Sequence, residues 1–300
     1  MTLARFPLAV LAFAAAASVS AADHYGRLTV DVKIEGKGQT QRGKDYSRST
    51  TAQNVHMAFN VMRSGDGDDR NMLDDAGNAA EMEKYAAASR ARAPSPEKQK
   101  EVMMRMQKEA EACRNDVNCM QAVALKMAKE TASWAAPAPD HSADEGRYFN
   151  YIPVGAAQCK GEFTAKIADS EEGAYSDVAG MRPFTTKVAA DFKAGELEKA
   201  TVCIGSVTVD SRTGKLYSRL AVPVIKGRHR STDAGHVTHD SADSQLLLNA
   251  DAMKWAFAQL NGGARSGVQR TTLKAPLSSS MAGQGEQTLN VEVRWTFDGK

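Results

Sequence analysis

The chain is 300 residues long, with 38 Lys and Arg against 36 Asp and Glu, a formal net charge of +2 and 42% hydrophobic residues. Charge this balanced gives no electrostatic drive toward nucleic acid or an anionic membrane surface. The apolar and charged fractions are those of ordinary globular domains, which excludes a wholly disordered chain and leaves enough apolar residues for a substantial core.

The first feature along the chain is a leader. Arg5 precedes an apolar run from Phe6 to Ala17, and the small residues Ser18 to Ala22 follow. That is the layout of a cleavable export signal over residues 1–22. The run is shorter than the roughly 20 residues that span a bilayer. The expectation is a periplasmic or extracellular protein with no integral membrane segment after cleavage. Residues 23–300 are then expected as a single β-rich domain with a helical insertion at about 79–134. Cleavage after Ala21 exposes Ala22-Asp23-His24, a donor set that suits Cu(II) or Ni(II); cleavage after Ala22 destroys it.

Leu28, Val30, Val32 and Ile34 alternate with Thr29, Asp31, Lys33 and Glu35, the period of two that marks a strand with one wet face. After a polar, glycine-bearing connection, Val55, Met57, Phe59 and Val61 repeat the pattern. Ser64 to Asp75 is acidic, but Arg70 interrupts it and the distal glutamate of a calcium loop is missing, so it reads as a solvated connection.

From about Ala79 to Trp134 the apolar period changes to that of a helix. Ser95 suits an N-cap, Pro96 the first helical position and Glu97 the positive end of the dipole. Val102, Met106, Ala110 and Cys113 form one stripe; Val117, Met120, Ala124, Met127 and Ala128 form a second. The short link predicts an antiparallel helical hairpin clamped by Cys113–Cys119. Met103, Met104 and Met106 beside Met120 and Met127 suit packing or a partner groove, with soft Cu(I) ligation as the rival reading. Ala135 to Pro139 reads as the exit linker.

Further strands are expected at Tyr148–Val154, Glu162–Ala168, Phe184–Phe192 and Val268–Leu273. Thr201–Asp210 and Leu216–Ile225 flank a turn in which Gly214 supplies the positive φ. Gly205 suggests a bulge, and Pro223 belongs at an edge or bulge. Four cysteines allow three pairings. Local spacing favours Cys113–Cys119 together with Cys159–Cys203, the latter closing a loop of roughly 45 residues worth about 4 kcal/mol. Without a C-x-x-C motif, these are structural bridges rather than a redox pair.

Gly227 to Asp243 holds His229, His236, His239, Asp240 and Asp243. His236 and His239, three apart, reach one metal from a helix or turn, with Asp240 or Asp243 as oxygen ligand, and imidazole suits Zn or Cu. The plainer reading is a solvated polar loop. Gln245–Leu260 fits a helix stopped by Gly262 and Gly263, although Met253, Trp255 and Phe257 also alternate as a strand. Leu289, Val291, Val293, Trp295 and Phe297 form the last amphipathic strand.

The fold expected is therefore α+β: an antiparallel sheet or sandwich with an inserted, disulfide-clamped helical hairpin. No G-x-S-x-G elbow, phosphate-binding glycine loop or H-E-x-x-H motif occurs, and His56 reads as a surface histidine. The leading expectation is a non-enzymatic exported protein that binds an envelope protein or small ligand, with no cofactor and no nucleic acid. The rivals are a Cu/Zn-binding protein using His236, His239 and Asp240 or the N-terminus, and a hydrolase whose two carboxylates carry no motif.

Overall fold

The computed structural model describes residues 25–114, 116–154, 160–193, 195, 205–277 and 285–299. The leader, the Ala22-Asp23-His24 motif and both Cys159 and Cys203 lie outside the described residues.

Eight strands follow one another across the sheet in the order β10 (Ser266–Pro276), β11 (Glu286–Gly299), β1 (Tyr25–Arg42), β2 (Asp45–Asp68), β4 (Gly161–Asp177), β5 (Gly180–Phe192), β8 (Val224–Asp233) and β9 (His236–Leu247). All of these pairings are antiparallel. A branch, β3 (Tyr148–Pro153) with β6 (Gly205–Asp210) and β7 (Leu216–Leu220), leaves β2 where its far end has passed β4. The expected antiparallel β-rich architecture is thus present, with four α-helices beside it among the described residues.

Alternation decides which face is inside. Leu28, Val30, Val32 and Ile34 of β1, Val55 to Val61 in alternate positions of β2, and Leu289 to Phe297 in alternate positions of β11 belong to one buried cluster. Helix α4 (Ala250–Ala258) caps that cluster with Ala252, Met253, Ala256 and Phe257. Asn249 starts the helix by accepting a hydrogen bond from Ala252 N at 3.0 Å, the orphan-donor satisfaction an N-cap provides. Trp295 closes the far side, its indole N–H donating to the Ala264 carbonyl at 3.0 Å.

A partly buried ion pair, with Asp210 buried and Arg147 half-buried, anchors the branch. Arg147 Nε and Nη2 meet the two Asp210 oxygens at 3.0 and 2.7 Å, and Asp210 also accepts from Arg212 N at 2.9 Å. The bidentate guanidinium holds the Asp210 carboxyl well below the usual carboxylate range, against the opposing effect of burial.

Several boundaries differ from expectation for local reasons. The connection expected between the first two strands is itself strand: β1 runs on to Arg42 and β2 begins at Asp45. Its residues are polar on both faces, so hydropathy alternation is silent there. The continuous strand expected over Leu216–Ile225 is divided before Val224, because Pro223 has no N–H to give a ladder. Gly205, the first described residue of β6, pairs with Leu220, and residues 201–204 of the expected strand lie outside the described residues. Gln245–Leu260 is both things in turn, strand to Leu247 and helix from Ala250.

The helical segment starts earlier than expected, at Asp75. Asp74 caps α1 (Asp75–Arg92) by accepting from Gly77 N at 2.9 Å, so part of the acidic stretch is a helix start. Ser95 caps α2 (Pro96–Ala112), and α3 (Val117–Thr131) follows, with a Cys113–Cys119 disulfide between them. Val102 and Met106 are buried, but neither α1 nor α3 buries a residue, and Val117 and Met120 of the expected second stripe are exposed.

Candidate ligand-binding cavity

The inner face of the sheet changes character along the strands. In β2 the inward phase that reads Val55, Met57, Phe59 and Val61 continues backward as Gln53, Thr51, Ser49 and Ser47, all of them buried. In β4 the phase of Phe163, Ala165 and Ile167 continues as Asp169 and Glu171. In β11, Gln287 precedes Leu289 in the same phase. A period of two puts these polar side chains on the core side, where burial without partners is costly.

Register makes them neighbours. Gln287, Gly38, Ser49, Glu171, Thr186, Ser231 and His239 form one row across seven strands. Gly38 is required in that row: a Cβ there would stand 2.6 Å from Gln287 Cβ and 2.7 Å from Leu277 Cδ2. Gln287 and Leu277 take the space over the bare backbone instead.

Ser49, Thr51, Gln53, Asp169, Glu171 and Gln287 line a cavity of about 370 Å³ whose wall also includes Gln245 of β9 and Pro276 of β10. No ladder joins β9 to β10 among the described residues, yet both line this cavity, so the sheet curls until its two edge strands face one interior. The volume falls in the range of small-molecule pockets.

Hydrogen bonds fix the lining. Gln53 bridges two elements, its Nε2 donating to Asp169 Oδ2 at 2.5 Å and its Oε1 accepting from Asn249 N at 3.0 Å. Asp169 Oδ1 accepts from Ala52 N at 3.1 Å. Thr51 and Ser49 hydroxyls donate to Gln287 Oε1 at 3.0 and 3.4 Å, and Ser47 donates to Glu171. Burial pushes the Asp169 carboxyl up, and the Gln53 and Ala52 donors only partly offset this.

No known family, curated protein or solved structure matches the chain. The site must therefore be read from its own chemistry.

The histidine-rich segment is a hairpin rather than a loop. Ala234 and Gly235 both have positive φ, 47° and 82°, the conformation that a two-residue turn between twisted strands needs. Two register shifts in β8–β9 hide the alternation from the sequence. His236 lies opposite Asp233, His239 opposite Ser231 and Asp240 opposite Arg230. The His239 ring stands 4.8 Å from the ring of His229, which lines the cavity. Asp240 is taken by Arg228, whose Nε and Nη2 donate at 3.0 and 2.8 Å, and this pairing holds the Asp240 carboxyl below its ordinary value. The structure thus joins His239 to His229, while the Asp240 oxygens serve Arg228. Among the described residues no three His, Cys, Asp or Glu side chains converge at ligand spacing.

A larger depression of about 560 Å³ lies around His56, Asp31, Lys33 and Lys166. Its lining is the solvated outer face, where exposed charges pair across strands, as His56 Nδ1 does with Asp31 at 2.7 Å. Exposed pairs of this kind are ordinary sheet surface, and the inner cavity is the stronger site. Sequence reasoning missed that cavity, although the signal was available: Ser47, Ser49, Thr51 and Gln53 stand in phase with Val55 to Val61.

Proposed function

We propose that this chain is a non-catalytic binding protein that takes a small polar ligand into the inner cavity of its curled sheet. The observation that carries the reading is a set of hydroxyl, amide and carboxylate side chains at core-facing positions of β2, β4 and β11 around a cavity of about 370 Å³. A sheet that needed only stability would continue its apolar stripe through those positions. Pockets of this kind fix a ligand with a few placed polar groups on a rigid scaffold.

The leader at residues 1–22 and the Cys113–Cys119 bridge support an exported, periplasmic setting for this binding. In this reading α2 and α3 form a disulfide-clamped helical hairpin that offers Met103, Met104, Met120 and Leu125, all exposed, to an envelope partner. Methionine suits such an adaptable surface.

Equilibrium dialysis of the purified chain against a small-molecule extract, read by mass spectrometry, tests the central reading. Enrichment of one small polar compound on the protein side is expected. Equal concentrations of every compound on both sides would overturn the reading.

A further inference from the structure

Building on that reading, we infer that the ligand is a small organic amine that also bears a hydrogen-bond acceptor, with its ammonium on the β4 side of the cavity and its acceptor on the β11 side. Amino alcohols and amino sugars have this chemistry.

Charge gives the first half. Among the described residues, the ionisable side chains in the lining are Asp169, Glu171 and His229, and no lysine or arginine lines the cavity. The Asp169 carboxylate receives only neutral donors, the Gln53 amide and the Ala52 N–H, and forms no ion pair among the described residues. An ionised carboxylate in a confined polar site is left favouring a cation. A cavity of about 370 Å³ is much larger than the shell of a bare metal ion, which leaves room for a molecule.

Gln287 gives the second half, independently. It is only 8% exposed, and its Oε1 already accepts from both Ser49 and Thr51. Its amide N–H groups have no protein partner among the described residues, while the residue lines the cavity. An amide donor left without a protein partner at the cavity wall is placed to meet an acceptor on the ligand. Gln287 lies on β11 and Asp169 on β4, with β1 and β2 between them, so the two functions are met at separate points of one molecule.

Isosteric pairs test the inference: glucosamine against glucose, and 4-amino-1-butanol against 1,4-butanediol, each titrated into the full chain by calorimetry and thermal shift. The amine of each pair is expected to bind about tenfold or more tighter than its neutral twin, the worth of one charge-assisted hydrogen bond. Asp169→Asn should erase that preference. The unliganded melting temperature of this variant reports its folding, and Asp169→Ser serves as a second charge-removing variant if Asp169→Asn does not fold. Equal binding of both twins would overturn the inference and keep the cavity as a binding site. So would absence of binding by all four probes while dialysis enriches a neutral or anionic compound. A cavity that enriches nothing in dialysis would sink the binding reading itself.

Discussion

The inner face of the sheet and the segment Asp75–Thr131 are built on opposite terms. Leu28, Val30, Ile34, Met57 and Phe163 are essentially inaccessible and belong to a cluster drawn from strands far apart in sequence. In the helical segment α1 and α3 bury no residue. It is held by caps, a short disulfide loop, the buried Val102 and Met106 of α2, and surface ion pairs that include Arg105–Glu130, Lys126–Glu109, Arg70–Glu81 and Arg219–Asp75. Burial of non-local apolar surface is cooperative, whereas caps and exposed pairs act within a turn or two. Damage to the sheet should therefore unfold the molecule, and damage to the helices should stay local.

The largest expected effect is Phe163→Ala. Removing a fully buried aromatic ring should cost about 4 kcal/mol and lower the melting temperature of the whole chain in one transition. A separate transition for the sheet alone would break the comparison. Next comes Arg147→Ala, which strands the buried Asp210 carboxylate and should cost about 3 kcal/mol. The pH dependence has a definite sign. Because Asp210 is held below its unfolded value, the stability it contributes is present above the unfolded carboxylate range and is lost as pH falls through the folded value. Denaturant titrations from neutral to acid pH should show Arg147→Ala losing that acid-side slope.

Much of this division is legible in the sequence. Leu28–Glu35, Val55–Val61 and Leu289–Phe297 announce the sheet because one face is apolar and the other polar. Ser95-Pro96-Glu97 announces α2 because capping chemistry is local. The cavity is not legible by the same means. Where the inner face turns polar, at Ser47–Gln53 and Asp169–Glu171, hydropathy alternation vanishes although the backbone alternation persists. The convergence of β9 and β10 on one interior is a matter of curvature and pairing over long sequence separation, which no local pattern encodes. The histidine hairpin was hidden by its two register shifts.

A smaller effect is expected from the double variant Cys113→Ser with Cys119→Ser. Opening so short a loop costs about 2 kcal/mol by chain entropy, and the comparison confines the loss to α2 and α3. Hydrogen exchange should accelerate at Val102–Ala112 and Val117–Thr131 while the Val55–Val61 amides keep their protection. Acceleration in the sheet would show that the two regions are coupled. The smallest effect is that of Lys126→Ala, which removes an exposed pair. Its shift in melting temperature should sit near the limit of detection and disappear at high salt.

The central claim, that the sheet cavity and not the helical segment captures the ligand, is tested most directly by dialysis with two variants side by side. One, Thr51→Val with Gln287→Leu, strips polar groups from the cavity; the other, Met103→Lys with Met104→Lys, alters only exposed helical positions. The account predicts that the first loses the small molecule enriched by the natural chain and the second keeps it. Retention by the folded cavity variant, with loss in the helical one, would contradict the account.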